Sequence, residues 1–488
     1  MLTSGSDDQP AGSAGHNHPV DDPPPDRGLI AKIYPFSTLR NPTRVWAWGM
    51  YDLANQSFAL LILTLFFPLY FKDVVVADPQ RGDALWSLIA SVSLGLTVVA
   101  SPVLGAVGDA RACKKKLLIG AGLTCVVLTA LLAVPERGGW LLAAALFIPA
   151  NLAFNLGSNF MASYLPHLAT PRNVGRVSAI GWTMGYIGAL LLMILAVGSM
   201  LALGWRTPAE WRPYFILAAG WYALNMIPTM LVLREPPPKP LPGDAELLAV
   251  AAYKRLAGTF HNARRFRQLF RFLIAFLVYS LGVQTMIKFA SILAADFGIE
   301  QIGLVVFVAQ LTVTALVTAA LTARYQDRFG AKRTVVVFVI IWLISCLALA
   351  AVTIAAPVDP PQWCFWVVGN GIGIGLGGIG TSSRSMVGRF SPGGRTAEFF
   401  GLWGLFYTLA GMIGILSFGQ VKAWVGGWWA GLDLFGNANT PALVLLAGFF
   451  LAGLILTLRV NEHAGVRAAM REDRDADRAA HENEATSA

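Results

Sequence analysis

Twelve apolar, charge-poor runs follow residue 44: Trp46 to Phe71, Leu85 to Gly108, Leu117 to Val134, Trp140 to Tyr164, Ser178 to Gly204, Pro213 to Leu233, Phe272 to Ala295, Ile302 to Ala323, Thr334 to Pro357, Trp363 to Ser383, Phe399 to Val421 and Pro441 to Leu458. Each is long enough to cross a bilayer as a helix. The pattern therefore predicts an all-α membrane protein of twelve transmembrane helices. The first run, WAWGMYDLANQSFALLILTLFFPLYF, carries one charge, Asp52. At about 1.5 Å per residue it reaches roughly 39 Å against a hydrocarbon core of roughly 30 Å, so its first turns fall in the interface. Trp46 and Trp48 suit that boundary. Asp52 and Asn55 lie one turn apart on one face, and lipid contact there would be costly. That face is expected to look into protein or water.

The polar positions between the runs orient them. An even number of spans puts both termini on one side. The segments on that side hold 30 Lys and Arg, the opposite loops hold six, and Lys288 lies inside a span. The excess of basic residues marks the cytoplasmic side, so both termini are expected there. This distribution accounts for the formal charge of +9 without any nucleic-acid partner. The four cysteines show neither a CxxC nor a zinc spacing, and all six histidines lie outside the apolar runs. No disulfide framework, metal site or cofactor is indicated.

The runs divide into two sixes. Residues 1–44 read as a disordered cytoplasmic tail without the apolar core of a signal peptide. Residues 45–233 form the first six-helix bundle, 234–271 a cytoplasmic linker, 272–459 the second bundle and 460–488 a charged cytoplasmic tail. In the linker Tyr253, Leu256 and Phe260 fall at helical spacing beside Lys254, Arg255, Arg264 and Arg265. That pattern fits an interfacial helix on anionic lipid or a solvated linker helix.

One motif occurs twice. Gly105-Ala-Val-Gly-Asp109-Ala-Arg111-Ala-Cys-Lys-Lys-Lys follows the second run, and Arg324-Tyr-Gln-Asp327-Arg328-Phe-Gly330-Ala-Lys-Arg333 follows the eighth. A short loop with an acid and several bases can latch helix ends through ion pairs and the dipole of a neighbouring helix, or can simply fix topology. The pattern Gly-x-x-x-Asp-Arg-x-Gly-x-Lys-Arg resembles the signature loop of the major facilitator superfamily. The first copy departs from it at Ala110 and Ala112.

Three further stretches resemble the branch related to autophagy-type vacuolar amino-acid effluxers. They are Trp48-Gly-Met-Tyr51-Asp52-Leu-Ala54-Asn55; Tyr164-Leu-Pro166-His-Leu with Gly175-Arg176-Val-Ser178-Ala-Ile-Gly181-Trp182; and Ser383-Arg384-Ser385 with Glu398-Phe399-Phe400-Gly401-Leu402. Where that branch tends to carry an acid before Gly282-Val-Gln284-Thr285, this chain has Leu281. The resemblance implies the major facilitator fold, two six-helix bundles rocking about a central cavity.

Asn151, Asn155 and Asn159 recur every four residues on the fourth run, and Gln284 and Lys288 repeat that spacing on the seventh. With Gln310, Asn370 and the pair Trp403 and Tyr407, they are candidates to line the cavity. Amides at such positions also bridge helices structurally. Lys288 could bind an anionic solute group or snorkel to the surface. GNGIGIGLGGIG, Gly369 to Gly380, has the look of a phosphate loop but lies in an apolar run with no preceding strand, which points to close helix packing. Asp109, Arg111, Arg176, Asp327, Arg328, Arg333, Arg384 and Glu398 form the candidate cytoplasmic gate. Asp52 is the candidate proton carrier, since a carboxyl alternately wetted and dried exchanges a proton; the rival reading is an ionised Asp stabilised near a helix start, with Arg176 as partner.

The expected function is a secondary transporter of small solutes, amino acids by resemblance, coupled to protons or another ion and acting as a monomer in a lipid membrane, the inner membrane if the cell is bacterial. A lipid flippase on the same fold and a non-transporting sensor are the alternatives. No nucleophile and base stand together in the runs, which argues against an intramembrane enzyme.

Overall fold

The computed structural model describes residues 29–487 except 34–35, 40, 170–173, 236–249, 251–252, 255–256, 262, 265, 359, 393–394 and 432–436. The long helices are α1 (Pro42–Val76), α2 (Pro79–Ala110), α3 (Lys114–Leu131), α4 (Trp140–Ser163), α5 (Val174–Leu203), α6 (Arg212–Val232), α7 (Arg267–Asp296), α8 (Gln301–Phe329), α9 (Ala331–Ala355), α10 (Gln362–Phe390), α11 (Thr396–Gln420, prolonged to Ala430), α12 (Asn439–Leu458) and α13 (Glu462–Ser487). Eleven of them are long and apolar enough to cross a membrane among the described residues. The helix α3 is the one whose first turn, Lys114-Lys115-Lys116, weighs against that measure. The protein is an integral, multi-pass membrane protein.

Helices α1 to α6 pack among themselves, as do α7 to α12; α2 against α11 and α5 against α8 are the main seams between the two bundles. The helix α1 is not regular. Pro68 has no N–H to donate, and the turns on either side, Ser57–Leu65 and Tyr70–Val76, widen so that the Thr64 hydroxyl donates five residues back to the Ala59 carbonyl at 2.9 Å. The widened segment is buried on nearly all sides by aromatic rings. Phe66 stacks on Tyr214 at 4.3 Å and Phe67 on Phe147 at 5.2 Å.

The glycine-rich run is a packing device. Along α10, Gly369, Gly373 and Gly377 face Phe307, Thr314 and the Ala315 backbone of α8, while Gly371, Gly375 and Gly378 face Ser345, Trp342 and Phe338 of α9. Two seams free of side chains on one helix let both neighbours approach it closely. A parallel arrangement joins α5 to α1: Gly181, Gly185 and Gly188 receive Trp48, Asp52 with Gln56, and the Leu53 backbone. Trp48 is consequently buried, and its indole N–H donates to the Met161 carbonyl at 2.8 Å. It serves the helix interface, in place of the membrane boundary anticipated for it, because the bare face of α5 leaves a slot its ring fills.

Each bundle repeats one more contact. Just beyond α6, a Glu235 carboxylate oxygen accepts from the Lys115 N–H at the start of α3, at 2.9 Å. Just beyond α12, Glu462 accepts from the Ala331 and Lys332 N–H groups at the start of α9, at 3.2 and 3.1 Å, and pairs with Arg389 at 3.3 Å. A carboxylate at a helix N-terminus satisfies orphan donors and meets the positive end of the dipole. Glu462 opens α13, so the terminal stretch that reads as a mixed-charge tail is a helix seated against the second bundle, with a further ion pair from Glu472 to Arg395.

The two signature loops differ in backbone. Gly330 has φ +86, and its counterpart Ala112 has φ +47, where a Cβ crowds the following carbonyl.

Candidate functional site between the bundles

Asp52 lies on α1 against the bare face of α5. A methyl built on Gly181 or Gly185 would stand 3.5 or 3.6 Å from its Oδ2. Across from it, α10 of the other bundle brings Arg384. The guanidinium rests over the Trp182 ring of α5 at 4.9 Å and the Trp403 ring of α11 at 5.4 Å. Among the described residues it is the cation that acts on Asp52, and it acts also on Tyr186 and Tyr407. Trp403 and Tyr407 lie almost parallel, 6.1 Å apart at 6°, and Phe276 backs both rings. Trp182 and Tyr186 form the opposite pair at 6.1 Å. The site is thus an acid from one bundle and a cation from the other, held between two aromatic pairs. Such a site can bind a solute carrying both a cationic and an anionic group.

The other candidates distribute as follows. Asn55 is buried within the first bundle. The asparagine stripe of α4 faces serines of α2: Asn151 donates to Ser93, Asn159 to Ser101 at 2.6 Å, and Asn155 back to the Asn151 carbonyl at 2.7 Å. Asn159 and Ser101 also border a cavity of about 90 Å³ near the end of the bundle that carries the termini. Gln284 donates to the Tyr407 carbonyl at 3.3 Å, which joins α7 to the aromatic wall. Gln310 donates to the Trp366 carbonyl at 3.1 Å, and Asn370 lies beside Thr314 at 3.4 Å, so both bridge α8 and α10. Lys288 is half-buried, and its backbone carbonyl accepts from Trp86 at 3.3 Å.

Among the gate candidates, the side chains of Asp109, Arg176 and Asp327 lie outside the described residues. Arg111 and Arg333 are exposed, and Arg328 lies over the Tyr325 ring at 6.0 Å. Arg384 belongs to the charged site just described, and Glu398 stands in the first turn of α11. In the linker, Tyr253 donates to the Val99 carbonyl of the first bundle at 2.8 Å, while Phe260 packs on Phe270 and Phe406 of the second. Arg264 covers the Phe260 ring at 4.7 Å. The described part of the linker therefore touches protein on both sides of the seam. Arg255, Leu256 and Arg265 lie outside the described residues.

A second charged cluster sits at the end of the molecule opposite both termini, here called the far face. Lys72 lies near the end of α1, Asp83 near the start of α2, Asp296 ends α7 and Lys422 lies near the end of α11. The Lys72 ammonium is 3.5 Å from Asp83 and 3.1 Å from Asp296; the Lys422 ammonium is 2.8 Å from Asp83 and 2.5 Å from Asp296. Sequence reasoning passed over all four. Each stands within two residues of the end of an apolar run, where a charge reads as an ordinary loop residue. Trp182 and Tyr186 were missed as site residues for another reason: only the position of α10 shows that a cation meets them.

Comparison with known proteins agrees with this architecture. A family model described as "Vacuole effluxer Atg22 like" matches residues 82–470. The MFS-type transporter YxiO of Bacillus subtilis, itself uncharacterized, is 25% identical over 434 residues, covering 85% of this chain and 94% of that protein. Autophagy-related protein 22-1 of Penicillium rubens is 27% identical over 315 residues, covering 60% of this chain and 50% of the fungal protein. Among solved structures, a D-xylose-proton symporter aligns with TM-score 0.66 at 15% identity, over 87% of this chain and 98% of its own. A POT family transporter in complex with 5-aminolevulinic acid aligns at 0.64 and 12% identity, over 90% and 99%.

Proposed function

The chain belongs to the Atg22-like vacuole effluxer family, and from that premise we propose that it carries small zwitterionic solutes, amino acids first among them, by proton-coupled alternating access. That it is a transporter of the major facilitator type, and no enzyme, follows from family and fold together. The topology proposed with it is twelve spans in two bundles, 45–233 and 272–459, with α3 as the third span and both termini cytoplasmic.

The observation that carries the reading is the placement of Asp52 and Arg384 on different bundles within one aromatic enclosure. A solute ammonium suits Asp52 and a solute carboxylate suits Arg384. The rings of Trp182, Tyr186, Trp403 and Tyr407 supply apolar walls for the rest of a small molecule. Asp52 holds either the solute ammonium or a proton, so loading the solute displaces the proton and its departure lets Asp52 take one again. Rocking of the bundles separates the two groups and reverses both events.

Purified protein in liposomes with an internal pH dye tests this. Amino acids are added singly to the parent, to Asp52→Asn and to Arg384→Lys. The expected result is solute-dependent proton movement in the parent, loss of proton movement with weakened solute binding in Asp52→Asn, and solute affinity lowered about tenfold with proton coupling kept in Arg384→Lys, which forfeits roughly 1.4 kcal/mol of planar, bidentate contact. Proton movement that persists in Asp52→Asn removes Asp52 from the coupling role.

A further inference from the structure

The four charges at the far face form a closed ring of alternating sign. Both Oδ1 atoms, of Asp83 and Asp296, turn to Lys72, and both Oδ2 atoms turn to Lys422. Two of the contacts cross between bundles, Lys72 with Asp296 and Lys422 with Asp83. The other two stay within a bundle, Lys72 with Asp83 in the first and Lys422 with Asp296 in the second. Three of the side chains are 3–7% exposed, and Asp296 is 21% exposed. Burying four charges is costly, and removing one member of a buried pair is costlier still. This ring has a property that a simple pair lacks: each bundle contributes one lysine and one aspartate, so each bundle's share is neutral and already paired.

We propose that the ring is a partner-exchange lock on the far face. When the bundles part there, the two crossing contacts break and the two internal ones remain, so opening leaves no buried charge without a counter-ion. A lock made of one lysine from one bundle and one aspartate from the other would strand both. Its surroundings fit a seam that separates. Next to the ring, α2 and α11 meet through Gly419 on Ser87, and Gln420 reaches Ala84 and Ser87 by side-chain bonds of 3.0 and 3.1 Å, all replaceable by water. Asp73 is exposed at the rim and is the further charge acting on the cluster.

The inference rests on the alternating-access reading, but its test uses no solute and no proton gradient. A wrong substrate leaves it standing, and transport can be measured even if the lock fails. Ser87 is fully buried at the α2–α11 seam. Ser87→Cys, in a protein whose four native cysteines are serine, reports far-face opening by its rate of reaction with a water-soluble thiol reagent in lipid nanodiscs. Two double variants each remove one lysine and one aspartate. Lys72→Met with Asp83→Asn deletes both crossing contacts and leaves the second bundle's own pair. Lys72→Met with Asp296→Asn leaves the crossing contact between Lys422 and Asp83.

The first variant is expected to label about tenfold faster than the parent, equivalent to roughly 1.4 kcal/mol in the opening equilibrium, and the second, whose remaining lysine and aspartate are both stranded by opening, no faster than the parent. Equal rates in the two variants overturn the proposal. Charge exchange gives a second measurement that keeps all four ions. Exchanging Lys72→Asp and Asp83→Lys alone sets like charges across the seam and is expected to speed labelling. Adding Asp296→Lys and Lys422→Asp restores the alternation and should return the rate to within about twofold of the parent. A fourfold exchange that labels as fast as the twofold one overturns the proposal too.

Discussion

Replacing Glu462 by Gln, with Glu235→Gln as its internal comparison, tests whether the duplicated carboxylate contact is worth what its geometry implies. Glu462 has three dependants: the Ala331 and Lys332 N–H groups at the start of α9 and the Arg389 guanidinium. A glutamine keeps one carbonyl oxygen and turns an NH2 toward the other donor. One backbone N–H then loses its acceptor, about 0.5–1.5 kcal/mol. The interaction with the helix dipole falls away, about 0.3–1 kcal/mol. The partly exposed pair with Arg389 is also lost, about 0.2–1 kcal/mol after solvent screening. Together these come to about 1–3.5 kcal/mol. Glu235 has one such bond, to Lys115, and its other oxygen has no hydrogen-bond partner among the described residues. Glu235→Gln keeps that bond and loses chiefly the dipole contribution, about 0.3–1 kcal/mol. Equilibrium unfolding in mixed micelles by detergent titration, followed by tryptophan fluorescence, measures both. A Glu462→Gln cost equal to or smaller than that of Glu235→Gln would refute the reasoning.

Three other substitutions have definite expected outcomes. Ala112→Gly relieves a left-handed alanine at φ +47 and should stabilise the protein by about 0.5–1 kcal/mol in the same titration, the gain in the folded loop being partly offset by the looser unfolded chain. Gly181→Ala places a methyl 2.6 Å from the Trp48 ring, which is held by its bond to Met161, so it should cost about 1–3 kcal/mol and displace the wall beside Asp52, read as a shift in tryptophan emission. Asn151→Ala removes a buried amide from Ser93 and should cost about 1 kcal/mol while leaving solute affinity unchanged in a binding assay.

How far the chain discloses this architecture depends on the distance over which each residue's role is decided. Helices, their ends and the sidedness of Lys and Arg are local properties, and the apolar runs locate the long helices closely. Asp52 declares itself because a lone charge in an apolar stretch needs a reason. The asparagine stripe is legible as a stripe, but its serine partners lie 58 residues earlier in an unremarkable apolar run. Lys422 and Asp83 are separated by more than half the chain, and nothing near either one announces the other. Trp48 looks interfacial by position and is buried because glycines on a distant helix make room for it. The tail after Leu458 has the composition of a solvated segment, yet its beginning is anchored by Glu462 on the start of α9 and by the Asn461 N–H on Gln268.

The two bare faces of α10 have a bearing on how the central site works. A helix pressed flush against α8 on one side and α9 on the other has no slack of its own, so Arg384 is a fixed point of the second bundle. Asp52, held against the bare face of α5, is likewise a fixed point of the first. On the alternating access proposed above, the gap between this acid and this base is a protractor for the tilt between the bundles. Whatever ion or solute changes the comfortable spacing of the two groups sets an angle, and whatever sets the angle changes what the two groups can hold.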